Sequence, residues 1–442
     1  MHCLTGEDVF RIVKDRQVSF VQLWFTDVLG MLKSFAIRPS ELEEAMTEGM
    51  GFDGSSIEGF ARIEESDMIA KPDPTTFQLL PWRPQEQPVG RMFCDILEPD
   101  GSPYPGDPRF ALKRILAEAK AKGFTFYVGP ELEYFYFANH LAPEILDQAG
   151  YFDTTPLDRG NVYRRETILA LEDMGIRVEY SHHEVAHSQH EIDLRYDEGL
   201  KMADKVMTYK TAVKEIARMN GVYATFMPKP LAGINGSGMH THQSLFTGDK
   251  NSFSDLSDAY HLSALAKGYI AGLLKHAREI TAVCNQWVNS YKRLVPGYEA
   301  PVYISWARRN RSTMIRVPMY KPGKEVATRV EYRAPDPACN PYLAFAVMLA
   351  AGLKGMTANY PLPDPVEEDI YHMSKGERER LGIKDLPGSL YEAIEEMEKS
   401  ELVRQALGDH IFNKFIQNRM IEWENYRLHV SQYEVDRYLP IL

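Results

Sequence analysis

The chain is poor in the features that mark several protein classes, and each shortage excludes something. Its 4 cysteines in 442 residues, Cys3, Cys94, Cys284 and Cys339, show no C-x-x-C spacing, which excludes a disulfide framework or a zinc ribbon and fits a reducing cytoplasm. No run approaches the roughly 20 apolar residues of a membrane span, and no basic region followed by an apolar stretch opens the chain, so neither a membrane nor a leader is expected. The longest candidate, Tyr342 to Ala351, reads as a buried helix. Positive charge is in deficit. The formal net charge of -12 argues against a nucleic-acid binder, which needs a basic field, so phosphate binding must rest on local arginines. Internal repeats and low-complexity tracts are absent as well.

What is present is the composition of an ordinary globular protein, 44% hydrophobic and 25% charged, in a chain long enough for two domains. Residues 4–15 read as a helix, and 18–25 and 33–37 as strands around a turn at Asp27 to Gly30. Pro/Gly clusters between Lys71 and Pro108 precede an amphipathic helix starting near Arg109. The boundary is therefore placed at 105, giving domains 1–105 and 106–442. In the second domain strands over 124–137, 191–196 and 221–227 alternate with helices near 160–174, 198–219 and 258–281, an α+β pattern with a large sheet. Ser389 with Glu392 reads as a capping box opening one helix over 389–407. Residues 410–438 read as a helical tail, packing either on a neighbouring subunit or on its own domain.

The chemistry concentrates in a few segments. Arg329, Glu331 and Arg333 fall on one face of an extended strand, one carboxylate between two guanidiniums. Glu131 and Glu133 likewise share a strand face, with Cβ atoms roughly 7 Å apart and no basic residue in the strand to offset them. A hard divalent cation is the economical explanation. Glu184 and Glu191 supply two more acids. His240, His242 and Ser244 share a face after the Gly-rich loop 233–238, which is not a P-loop because no Gly-Lys-Ser/Thr follows. Residues 289–301 look like a mobile lid with Arg293 and Glu299 near its ends. Arg308, Arg309, Arg311 and Arg316 then gather guanidiniums suited to carboxylate or phosphate.

Four motifs in order, Phe52-Asp53-Gly54-Ser55-Ser56-Ile57, Gly129-Pro130-Glu131-Leu132-Glu133, Asn235-Gly236-Ser237-Gly238-Met239-His240 and Asn310-Arg311-Ser312, resemble those of a bacterial or archaeal type I glutamine synthetase, along the whole chain. The resemblance implies a small N-terminal β-grasp domain and a larger catalytic domain with a curved antiparallel sheet. Active sites would lie between subunits of a dodecamer of two hexameric rings. It implies ATP-dependent ligation of ammonia to glutamate through γ-glutamyl phosphate, with two divalent cations, Mg2+ or Mn2+. Glu133, Glu184 and Glu191 would hold the first metal, and Glu131, His240 and Glu331 the second. Glutamate would meet Asn235, Gly236, Arg293, Glu299 and Arg333. Nucleotide and phosphates would meet His242, Ser244, Arg311, Arg316 and Arg329. Arg311, Arg316 or Arg333 would stabilise phosphoryl transfer.

Ammonium has no lone pair to attack with until it loses a proton, and the resemblance assigns its site to Asp53, Ser56, Tyr151, Glu184 and Glu299, with Asp53 of a neighbouring subunit the favoured base. Keeping Asp53, Ser56 and Glu299 argues against a larger amine substrate, and keeping all six metal positions argues against a catalytically silent relative. Arg62 matches a position tied to glutamine feedback in the shorter α-type subgroup, and a regulatory protein partner fits the same picture. Tyr371 lies near the adenylylated Tyr of the longer subgroup but lacks the following sequence, so no adenylylation is expected. His187-Ser188 departs from the family's usual pair, so the turn between Glu184 and Glu191 is expected to differ locally.

Overall fold

Thr5 and Asp8 cap each other's backbone at the start of α1 (Gly6–Asp15), the reciprocal arrangement that satisfies two unpaired N–H groups. The computed structural model describes residues 4–55, 57, 59, 67–83, 86–319 and 323–442. Ser56 and Arg62 therefore lie outside the described residues. After α1 come β1 (Phe20–Thr26) and β2 (Leu32–Ile37), antiparallel around a turn where the Gly30 N–H donates to Asp27 O at 3.0 Å. α2 (Leu42–Thr47), β3 (Met50–Asp53), β4 (Asp67–Pro72), β5 (Gln78–Leu79) and β6 (Val89–Leu97) complete the 6-stranded sheet, in the order β2-β1-β6-β4-β3 with β5 on β6.

Strand alternation decides what this first sheet buries. Val21, Leu23 and Phe25, with Met92, Cys94 and Ile96, point into the N-terminal core, while Trp24 and Phe93 from the same strands point into the larger core of the second domain. The two domains are also stapled by charge. Arg109, 3% exposed, donates to Asp73 (2.7 Å) and Asp95 (2.5 Å) of the first domain and to Asp204 (3.0 and 3.1 Å) of the second.

The larger second domain begins with α3 (Pro108–Ala121) and β7 (Thr125–Phe137), followed by α4 (Asn161–Asp173), β8 (Val178–His183), β9 (Gln189–Leu194), β10 (Asp197–Glu198), α5 (Gly199–Met219) and β11 (Tyr223–Thr225). Then come β12 (Met239–Thr247), β13 (Lys250–Asn251), α6 (Ala264–Cys284), α7 (Ser290–Arg293), β14 (Tyr303–Ile304), β15 (Trp306–Ala307), β16 (Ile315–Arg316), β17 (Val330–Tyr332) and α8 (Pro341–Ala358). A 10-stranded sheet runs β15-β16-β17-β12-β7-β9-β8, with β10 and β11 on β7 and β13 on β12. Its parallel pair, β15 with β16, makes the sheet mixed rather than wholly antiparallel as expected.

α8 is by length and composition apolar enough to cross a membrane, yet 72% of it is buried inside the protein, in keeping with the expected core helix. It crosses α6 closely: a Cβ on Gly272 would lie 2.1 Å from Ala351 O, so only glycine allows this approach.

The C-terminal part comprises α9 (Lys375–Arg380), β18 (Lys384–Asp385), α10 (Leu390–Glu398), α11 (Glu401–Leu407), α12 (Asp409–Arg427) and α13 (Gln432–Tyr438). The single helix expected over 389–407 is two. Ser389 caps the first, but the Glu392 carboxylate turns to Gly388 N and Arg278, and Ser400 caps a second start. The tail is helical with a break after Leu428. Ile411, Phe412 and Phe415 of α12 are buried on their own domain, whereas Leu428, Val430, Leu439 and Ile441 are exposed.

Candidate active site

β7 carries Glu131 and Glu133 into the middle of the large sheet, and register places the other donors beside them. Glu133 faces Glu191 on β9, Glu131 faces His240 on β12, His242 faces Glu331 on β17, and Glu331 faces Arg316 on β16. Residues paired across adjacent strands share a face, so one face collects the acids, imidazoles and an arginine. Phe135 and Phe137 continue it, stacked 5.6 Å apart and packed with Ala186, Leu231 and Ile234 at its margin.

Three tight groups of metal-capable atoms form among the described residues, each within 4.8 Å, and two of them lie on this face: Glu131 with His242 and Glu331, and His182 with Glu184 and Glu191; the third, Asp147, Asp158, His183 and His190, is wholly buried. His240 sits between them, its Nδ1 3.6 Å from Glu131 and 3.9 Å from Glu331, its Nε2 4.0 Å from Glu133. All six residues expected as metal ligands thus converge. His182 was not anticipated as a partner of Glu184, which it meets at 2.6 Å; the signal was its strand spacing two residues before that acid.

Electrostatics divides the face. On the first side burial, then repulsion from Glu184, pushes Glu133 upward, although Gly238 N and Gln189 Nε2 donate to it at 2.9 and 3.0 Å. Burial and then Asp193, Glu131, Glu133 and Glu184 push Glu191 upward too. Carboxylates so buried and so close lack a positive charge, and an oxygen-rich set of this kind fits a hard divalent cation. On the second side burial would raise Glu131 and Glu331, yet neighbouring cations and imidazoles hold both below the ordinary range: His242 and His240 for Glu131, Arg333, His242, His240 and Arg316 for Glu331. Burial, then Arg333, pushes His240 down to about 4, leaving a neutral imidazole with a lone pair to offer.

Glu331 is fully buried and clamped by Arg316 Nε at 2.5 Å and Arg333 Nη1 at 2.6 Å. This corrects the expectation that Arg329 would be its second partner. β17 begins only at Val330, so Arg329 lies before the strand and turns instead to His242 Nδ1 at 3.2 Å, while His242 Nε2 contacts Glu131 at 2.7 Å.

Beside His242 a cleft of about 250 Å3 is lined by Tyr127, Tyr196, Phe246, Ser244 and Arg329. Its rings meet edge to face, Tyr127 to Tyr196 at 5.7 Å and Tyr127 to Phe246 at 4.9 Å. These aromatics were not singled out from the sequence, where they look like ordinary strand residues.

On the other side Glu133, Glu184, Asn235, Arg293, Glu299 and Arg333 line a second pocket. Arg293 is held by Ala334 O (2.8 Å) and Arg333 O (3.2 Å), and a Cβ on Gly236 would lie 2.4 Å from Pro228 O. Asn235 Nδ2 donates to Glu299 at 3.0 Å. Tyr151, partly exposed, has Glu184 and Arg311 beside its phenol, and burial raises it. Between Glu184 and Glu191 the turn is made by Ser188 at φ 61°, its hydroxyl accepting from Leu146 N at 2.7 Å. Asp53 stands apart, exposed on β3 of the first domain and accepting from Ser55 N at 2.8 Å.

Comparison with known proteins decides the family. Residues 105–438 match the glutamine synthetase catalytic domain and residues 17–99 its beta-grasp domain. The chain belongs to the glutamine synthetase family. A glutamine synthetase of Mycolicibacterium smegmatis is 55% identical over 441 residues, covering 98% of this chain and 99% of the relative. One from the archaeon Methanosarcina mazei is 53% identical, covering 100% and 99%. Among solved structures a GmaS/ADP complex superposes with a TM-score of 0.89 at 31% identity, covering 98% and 99%. The cryo-EM structure of Plasmodium falciparum glutamine synthetase gives 0.88 at 26%, covering 98% of each chain. The chain is accordingly an enzyme, a glutamine-forming ligase with a β-grasp domain followed by a catalytic domain.

Proposed function

We propose that this sheet face joins ammonia to the γ-carboxylate of L-glutamate, with ATP cleaved to ADP and phosphate through γ-glutamyl phosphate. The observation that carries the reading is the placement of the donor set, Glu131, Glu133, Glu184, Glu191, His240 and Glu331, between the aromatic cleft on one side and the Asn235–Arg293–Arg333 pocket on the other. The 31% identical relative solved with ADP supports nucleotide binding by this fold, and the rings of the aromatic cleft offer faces for a base.

A carboxylate is a poor acyl donor because oxide is a poor leaving group, so the γ-carboxylate oxygen attacks the γ-phosphorus and ADP leaves. Ammonia then forms the C–N bond and phosphate departs. Two divalent cations, Mg2+ or Mn2+, would supply charge neutralisation at the phosphates when held by the six donors. Arg293, Arg333, Asn235 and Gly236 orient glutamate. His242, Ser244 and Arg329 hold the nucleotide, and Arg311, Arg316 and Arg333 offset charge during transfer. Ammonium sits among Asp53, Ser56, Tyr151, Glu184 and Glu299, where a carboxylate takes its proton.

Asp53 is exposed on the first domain and does not line the pocket of its own chain, which supports a site completed by a second copy. Its chemistry and the exposed apolar tail fit a homo-oligomer, a dodecamer of two hexameric rings, divided near residue 105 into two domains and working in the cytoplasm. Arg62 would carry glutamine feedback.

The test is incubation with ATP, Mg2+, glutamate and 15N-ammonium, following phosphate and labelled product by mass spectrometry. Labelled glutamine in step with phosphate, lost in Asp53→Ala and Glu331→Ala, is expected. Phosphate without labelled glutamine would sink the reading in favour of another amine acceptor.

A further inference from the structure

Tyr371 has a hydroxyl with a definite use. The short turn of helix Ile370–His372 is capped by Asp369, whose carboxylate accepts from Tyr371 N at 3.0 Å, and the phenol reaches across to donate to Ala300 O at 2.7 Å. Ala300 directly follows Glu299, the acid on the lid. Glu299 is a non-glycine residue at φ 58°, a left-handed conformation that an L residue holds only when its surroundings impose it. Gly297, at φ 93°, lets the loop turn just before it.

Three contacts impose that conformation. Asn235 Nδ2 holds the Glu299 carboxylate at 3.0 Å. The Lys229 ammonium lies 4.1 Å from the Tyr298 ring centroid, tying the residue before it. Tyr371 holds the backbone immediately after it. Burial pushes the Tyr371 phenol up to about 12, so it keeps the proton it donates.

The segment bearing Tyr371 is also tied to the arginine loop. Ser312 Oγ accepts from Ile370 N at 3.2 Å, Asn310 Nδ2 donates to Val366 O at 2.9 Å, and the Glu367 carboxylate accepts from Arg308 N and Arg309 N at 2.8 and 3.1 Å. Residues 366–372 therefore form a strap with one end on the loop carrying Arg311 and the other on the lid carrying Glu299.

We infer that Tyr371 is a positioning residue for the ligase reaction: its hydroxyl latches the lid through Ala300, keeping Glu299 over the reacting carbonyl and water away from it. The inference rests on the proposed ammonia-ligase reading. With the latch gone, water competes with ammonia for γ-glutamyl phosphate. Its oxygen bonds to Cδ, the Cδ–O bond to phosphate breaks, and glutamate and phosphate are released with the water's proton passing to solvent. The net reaction is ATP hydrolysis without glutamine.

Tyr371→Phe removes the donor and keeps the ring that packs 6.0 Å from Tyr303. The measurement is the ratio of phosphate to glutamine at saturating ammonium, beside KM for ATP and a thermal melt. A ratio that rises severalfold while KM for ATP stays put is expected. A purely structural role lowers both products together and leaves the ratio at one, which overturns the latch. Tyr371→Met, which also lacks the donor but fills the space differently, repeats the test if the first variant folds poorly. A wild type that releases phosphate without glutamine overturns the functional reading and the latch with it. Matched yields in the wild type with an unchanged ratio in both variants overturn the latch alone.

Discussion

Glu133 and Glu191 are direct cross-strand partners in the β7–β9 pair, and both are buried carboxylates. Side chains at such positions lie about 4.5–5.5 Å apart at Cβ, and like charges there destabilise. Without a cation, Glu191→Gln is expected to raise the thermal midpoint, because one of two repelling charges is gone. The same variant should lose most of the stabilisation that Mg2+ or Mn2+ gives the wild type, and most of its activity. Differential scanning fluorimetry with and without metal checks both halves; equal metal-induced shifts in the two proteins would show that Glu191 is no ligand.

Asp53 and Glu331 stand on different domains, Asp53 exposed and Glu331 fully buried. Mixing the inactive Asp53→Ala and Glu331→Ala proteins under conditions that allow subunit exchange should restore activity, since about a quarter of randomly formed interfaces would combine an intact Asp53 with an intact Glu331. A mixture that exchanges subunits, as seen by mass spectrometry, yet stays inactive would place both residues in one chain's site.

Arg109 neutralises three carboxylates at the seam of the two domains, so removing it leaves buried charge behind. Arg109→Met should cost about 3–5 kcal/mol, read as a lower urea midpoint. Asp73→Asn, which removes one of several acids on that guanidinium, should cost less.

Asp107 gives a pH dependence of defined sign. It caps α3 by accepting from Arg109 N at 2.9 Å and accepts from Ile96 N at 3.1 Å, and burial, then Asp95, pushes it up to about 7 from 3.8. A raised folded-state pKa means that the folded chain binds the proton more tightly than the unfolded one. The contribution to stability is complete below about pH 4 and is lost as pH rises through about 7, at about 1.4 kcal/mol per pH unit. The stability difference between wild type and Asp107→Asn should therefore drift across pH 4–7 and level off above it. A flat difference in urea titrations over that window would refute the assignment.

Local order was legible in the sequence where it depends on neighbours. The α1 start, the hairpin at Asp27 to Gly30 and the buried α8 follow from capping residues, turn chemistry and an unbroken apolar run. The carboxylates and imidazoles proposed to hold the cations were picked out through family motifs, and the structure brings them together. Non-local pairing was less so. Nothing in the spacing of Arg329, Glu331 and Arg333 reveals that β16 would lie against β17 and deliver Arg316 to Glu331, displacing Arg329 towards His242. The break at Ser400 hides inside a good helical sequence, because Ser389 and Ser400 both offer caps and Glu392 finds a partner outside the helix in Arg278. Tyr371 was visible only as a residue in an unfamiliar context; its partner is a backbone carbonyl, which carries no sequence signature.

The strand that holds Glu131 and Glu133 is hydrogen-bonded to β9, β10, β11 and β12 along its 13 residues. To distort it, ladders on both of its edges must give way, so it belongs with the parts of a protein that open last. The lid bearing Glu299 is anchored by single side-chain contacts, which break one at a time. Stiffness is thus divided by task. On the proposed reading, the cations would be held by the most constrained segment, while access to the reacting carbon would depend on a loop that costs little to open.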